Sequence, residues 1–100
     1  MTSRENPGPN IGTSVIAEHD RAKIWELKLD PGEASEWHAH QNTYIFIVIE
    51  GGRLFAEYAD GTSNTTDAEP GEVVYNQPST HRVTNTGNTR YRNVIVELLD

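Results

Sequence analysis

The sequence predicts an all-β fold, a closed barrel or two-sheet jelly roll, on three observations. Apolar residues make up only 35% of the chain, and turn-forming Gly, Pro, Asn, Asp, Ser and Thr are plentiful. Short stretches with period-two alternation recur at regular intervals, each bounded by turn residues. No segment repeats its apolar residues every 3.6 positions, so no helix longer than two turns is expected. One hundred residues supply a single core and therefore a single domain.

The N-terminal "MTSRENPGPNIGTS" carries two prolines that forbid regular structure, and residues 1–12 are expected to form a flexible arm ahead of a barrel spanning 13–100. "TSVIAE" (13–18) reads as a short first strand. In "RAKIWELKLD", Trp25, Leu27 and Leu29 alternate with Glu26 and Lys28, the signature of a half-buried strand. Pro31-Gly32 then stops it sharply. "SEWHAH" resumes extended structure. "TYIFIVIE" (43–50), β-branched and aromatic, predicts a central strand buried on both faces. Gly51-Gly52 closes that strand, and "RLFAEYA" is expected to return beside it as a hairpin. A polar loop follows, with a short strand near 65–68. "EVVYN", "HRVTNT" and "YRNVIVELL" complete the set.

Charge and composition narrow the partners. A net charge of -7 argues against nucleic acid and anionic membranes. No run of ~18 apolar residues is present to span a bilayer. The N-terminus lacks the apolar stretch of a secretory signal, and the absence of cysteine fits a cytoplasmic location. Catalytic chemistry must therefore come from histidine, tyrosine, carboxylate or a bound metal.

His38 and His40 stand two apart in an extended segment, so both imidazoles face one side. Two neutral imidazoles side by side inside a barrel form half of a transition-metal site. A third histidine elsewhere in the chain would be needed to complete such a site.

The spacing around these residues resembles the two motifs of the cupin superfamily of small β-barrels. The first, roughly G-x5-H-x-H-x3-4-E-x6-G, aligns Gly32, His38, His40, Tyr44 and Gly51. The second, G-x5-P-x-G-x2-H-x3-N, aligns Gly71, Pro78, His81 and Asn85. The resemblance spans Gly32 to Asn85 and implies a cupin-type jelly-roll barrel in which His38, His40 and His81 hold a divalent metal: Fe, Zn, Ni or Mn. Two departures stand out. Tyr44 replaces the family's glutamate ligand, and the second motif is one residue short and lacks its internal glycine. The ligand set is then three neutral histidines, similar to that of the thiol and diketone dioxygenases of the family. A phenol ionises only near pH ~10, so Tyr44 is expected to be a hydrogen-bonding or acid/base group rather than a ligand.

Other candidates follow from parity. Glu36 shares the face of His38 and His40 and is a candidate carboxylate base. Arg92, in phase with Val94 and Val96, is a candidate anchor for an anionic substrate. Tyr58, Tyr75, Tyr91 and Phe46 are expected in the core or barrel lining, and His19 in a solvated turn. Asn85 and Gly71 are expected to be structural. Trp25 and Trp37, if outward, would need cover, and with an apolar sheet face they predict a homodimer.

The expected function is a metal-dependent enzyme, dioxygenase- or isomerase/lyase-like, acting on a small polar metabolite. A metal-free acid/base enzyme (dehydratase, cyclase or isomerase) using His and Tyr is the second reading. A non-catalytic metabolite-binding module is the third.

Overall fold

The computed structural model describes residues 2–99, which form nine strands and no helix. In chain order these are β1 (Ser14–Glu18), β2 (Ala22–Leu29), β3 (His38–His40), β4 (Tyr44–Glu50), β5 (Gly52–Tyr58), β6 (Ser63–Ala68), β7 (Val73–Asn76), β8 (Ser79–Asn85) and β9 (Tyr91–Leu98). They pack as a five-stranded sheet, β1-β2-β9-β4-β7, against a four-stranded sheet, β3-β8-β5-β6. Every pairing between strands is antiparallel. This is the jelly-roll arrangement expected from the turn-punctuated sequence.

Period two places the core. Trp25, Leu27 and Leu29 of β2 point inward with Tyr44 and Val48 of β4 and Tyr91 and Ile95 of β9. The opposite parity of β4, Ile45, Ile47 and Ile49, faces away from the core and is half-buried to exposed. The strand is central but not buried on both faces, because the five-stranded sheet has no layer over its outer side.

Three further expectations are corrected. β4 and β5 do not form a hairpin: β9 and β7 already occupy both edges of β4, so the chain crosses at Gly51 into the other sheet, where β5 pairs with β6 and β8. Gly51 is required at this corner, since a Cβ there would run into the Ala68 carbonyl. The tryptophans are both covered within the chain. Trp25 is 5% exposed and its indole N–H donates to Glu97 Oε1 at 3.1 Å. Trp37 is 6% exposed, sandwiched between the Arg4 and Arg82 guanidinium groups. Tyr75 is not core or lining but 62% exposed on the outer face of β7.

The stretch ahead of β1 lies along the barrel. Ile11, assigned from sequence to the arm, is 3% exposed within the core. Gly8 N–H donates to the Trp37 carbonyl at 2.8 Å, and Trp37 N–H donates to Thr2 Oγ1 at 2.9 Å. These contacts cover the free edge of β3, which an open sheet would leave as unpaired backbone.

Asn85 ties the end of β8 to its neighbours. Fully buried, it donates to the Leu29 and Thr89 carbonyls and accepts from Gly87 N–H, at 2.9, 2.8 and 2.9 Å. Asn85→Ala would strand the buried Leu29 carbonyl and two part-buried backbone groups, the Thr89 carbonyl and Gly87 N–H. It is expected to lower stability by about 3 kcal/mol, measured by urea denaturation. The structural roles expected for Asn85 and for Gly71, at φ +90°, agree with their positions.

Candidate metal centre

The register between two short strands builds the site. β3 pairs with β8 so that His38 lies directly opposite His81 and His40 opposite Ser79. Cross-strand partners share a face, and so do residues two apart, so all three imidazoles project inward together. Their ring centroids form a near-equilateral triangle with sides of 4.7, 4.6 and 4.8 Å. Each offers a nitrogen within 4.8 Å of the others, and each is buried. The short second motif does not displace His81, because β-pairing rather than loop length sets its place.

The nitrogens can be assigned roles. His38 Nδ1 lies 2.8 Å from the Glu36 carbonyl, which only accepts, so Nδ1 carries the proton and Nε2 keeps its lone pair. A backbone carbonyl orienting a histidine in this way is a common support for a metal ligand. His40 Nε2 and His81 Nε2 face each other at 3.1 Å. Two Zn–N bonds of ~2.1 Å would span that gap at an angle of about 95°.

Tyr44 stacks on His40, with ring centroids 3.7 Å apart and planes 17° from parallel. It sits beside the triad without joining it. Glu36 does not bring its carboxylate to the site. The side chain is exposed on an outer groove with Thr13 and Lys28, and only its carbonyl reaches a histidine. Arg92 is also occupied elsewhere, its Nη1 2.7 Å from Glu26 Oε2 on the outer face of the sheet. His19 is exposed in a turn, as expected.

The histidines line an inner cavity of about 70 Å³ that adjoins an outer lobe of about 230 Å³. Tyr44, Phe46, Leu54, His81 and Val83 belong to both walls. The outer lobe opens between β6 and β7, the edge strands that leave this side of the barrel unsealed.

Comparison with known proteins agrees with this geometry. The profile of the cupin domain family matches residues 25–97, most of the chain and all three histidines. The chain belongs to the cupin family. Among solved structures, a cupin domain from Bordetella pertussis Tohama I is similar at a TM-score of 0.80. Its sequence identity is 26%, over 87% of this chain and 91% of that one. A cupin 2 conserved barrel domain protein from Salinispora arenicola CNS-205 is similar at 0.65, with 24% identity over 87% and 73% of the two chains. A conserved protein with a double-stranded β-helix domain from Klebsiella pneumoniae is similar at 0.69 with 18% identity, over 98% and 83%. Comparison with curated proteins returns no significant match.

In this cupin the electrostatics hold the imidazoles neutral. Burial pushes His40 down to about 2, with repulsion from His38 and His81 adding to it. Burial likewise pushes His81 down to about 3, with His38 contributing, and lowers His38 against the opposing pull of Glu36. Neutral imidazole is the ligating form, so the donor set suits a divalent ion without prior deprotonation. His40 Nδ1 is buried with no partner, an unpaired polar atom inside a cluster otherwise suited to a cation. Burial pushes the Tyr44 phenol up to about 12 against the lowering influence of Ser79, so it is a neutral hydrogen-bond donor and not an anionic ligand.

Sequence reasoning did not single out Ser79, Tyr58 or Asn93 as site residues. Ser79 stands 3.4 Å from His81 Nδ1, and Tyr58 meets the His81 ring edge-on at 5.6 Å. Asn93 and Tyr91 wall the inner lobe. The signal for Asn93 was present: it shares the inward parity of Tyr91 and Ile95, where an amide is out of place.

Proposed function

We propose that this cupin is a metal-dependent enzyme acting on a small molecule. His38, His40 and His81 hold a divalent ion, and the adjoining lobe takes the substrate. The observation that carries the reading is the convergence of three buried, neutral imidazoles on one point beside a cavity. When bound, the ion supplies Lewis-acid or redox chemistry at the positions the histidines leave open, which suits oxygenation or an isomerase/lyase step. The protein's own groups do the rest. Phe46, Leu54 and Val83 exclude water, His40 is held by its stack with Tyr44, and the neutral Tyr44 phenol can donate a hydrogen bond.

The metal-free acid/base reading is weaker on this geometry. A general base works best when its pKa lies near the operating pH, and His40 and His81 lie far below neutrality. The test is a substrate screen run in parallel on protein loaded with iron(II), zinc, nickel or manganese and on EDTA-treated protein. Turnover that requires one of the ions supports the proposal. Equal turnover by the EDTA-treated protein contradicts it. Tyr44→Phe is expected to leave ion affinity within about twofold by calorimetry, yet to slow turnover about 100-fold if the phenol is the acid.

The proposal includes a homodimer formed through the outer face of the five-stranded sheet. The register sets Ile45 beside Tyr75 and Val96, and Ile47 beside Val73 and Val94, giving two apolar rows across three strands. Val73 and Tyr75 are 66% and 62% exposed, and the Glu26–Arg92–Glu50 ion pairs border the rows as a polar rim does. Light scattering is expected to give a dimer mass at micromolar concentration, and Ile47→Lys a monomer. Lack of cysteine supports a cytoplasmic location as part of the same proposal. Among the described residues no helix is long and apolar enough to cross a membrane.

A further inference from the structure

Asn93 occupies a position where an amide is costly. It is 4% exposed on the inward face of β9, in the wall of the inner lobe that also holds the histidines. Its Nδ2 donates to the Tyr91 phenol oxygen at 2.7 Å, and its Oδ1 is buried with no partner. Turning the amide over does not cure this: the phenol would then donate to Oδ1 and leave one Nδ2–H side bare. A buried polar atom left unpaired costs roughly 1–3 kcal/mol. The adjoining space, about 70 Å³, has room for a polar group to satisfy it, given ~30 Å³ for a water.

The outer lobe is mainly apolar, through Val48, Ala56, Val74 and Val83, with Asn64, Thr66 and Asn76 among its polar side chains. Among the described residues no lysine or arginine lines either lobe, and the one carboxylate is Glu72 in the outer lobe. An anionic substituent in the outer lobe would lose its hydration without a counter-charge and meet Glu72 as well. A cationic head would fare no better in the inner lobe, where no carboxylate stands among the described residues, whereas an uncharged one loses little in either lobe.

We propose that the cavity takes an uncharged small molecule with a hydrogen-bonding head and an apolar body, and that Asn93 orients the head against the histidines. This replaces the small polar metabolite expected from sequence with a mainly apolar one. It rests on the cavity being the substrate site proposed above but not on the ion, so its test uses EDTA-treated protein.

The probes are 1-hexanol, hexylamine and hexanoate, titrated at neutral pH by calorimetry and by NMR. Hexanol is expected to bind, with hexylamine and hexanoate each weaker by about tenfold or more. The side-chain amide resonances of native Asn93 shift on hexanol binding, a measurement that needs no variant to fold. Asn93→Leu weakens hexanol about fivefold. Hexanoate or hexylamine binding as tightly as hexanol, no binding of any probe, or unshifted Asn93 resonances would overturn the proposal. A parallel zinc titration that shows no uptake would sink the metal reading and leave these outcomes to be judged separately.

Discussion

Replacing His81 by alanine is expected to lower the affinity for a divalent ion by at least about 100-fold, since loss of even an outer hydrogen-bond partner to a metal ligand commonly costs 10–100-fold. The imidazole is one of three converging donors, and its Nε2 faces His40 Nε2 at 3.1 Å. The change removes a side chain from a cavity wall and leaves the β3–β8 backbone pairing in place, so the fold should survive it. His19→Ala, in an exposed turn, should bind the ion as the native protein does. Glu36→Gln should do so as well, because it is the Glu36 carbonyl and not the carboxylate that orients His38. Calorimetric titration of zinc into the four proteins measures all of this. Equal affinity in native and His81→Ala protein would remove the basis for the site.

The metal-free protein is expected to lose much of its stability between pH 6.5 and pH 4.5. His40 and His81 start from 6.5 when unfolded and sit at about 2 and about 3 in the folded barrel. Below 6.5 the unfolded chain takes up protons that the folded one refuses, so stability falls as pH falls and is fully present only above that value. At pH 5.0 the two groups together withdraw about 4 kcal/mol, with His38 acting in the same direction. That is a large share of the 5–15 kcal/mol typical of a domain this size. Urea denaturation of EDTA-treated protein at pH 7.5 and 5.0 gives the difference directly. Zinc in excess should push the acid midpoint lower, because it binds only the neutral, folded triad. Stability unchanged across this range would mean that the imidazoles are more solvated than their burial indicates.

The same physical contrasts explain what could be read before the structure was seen. The alternation in Trp25, Leu27 and Leu29 marked β2 correctly, because period two has one meaning when an opposite face is polar. His38, His40 and His81 were legible because strand parity and motif spacing act locally. The β4–β5 connection was not legible. Gly51-Gly52 between two strands signals a turn, but which sheet receives the next strand depends on whether the edges of β4 are free, and β9, far along the chain, takes one of them. The cover of Trp37 was not legible for a similar reason: it comes from Thr2, Arg4 and Arg82, distant in sequence. Glu36 had the right parity, but it lies before β3 begins, where parity no longer fixes direction. Asn93 went unremarked because the meaning of a buried amide lies in what it fails to touch.

The most direct test of the three-histidine centre is elemental analysis by mass spectrometry of the protein purified without a polyhistidine tag, followed by calorimetric uptake after EDTA treatment. The expected result is one divalent ion bound per chain, with uptake abolished in His38→Ala, His40→Ala and His81→Ala. Protein that carries no metal, takes none up at neutral pH, and yet turns over a substrate would contradict it.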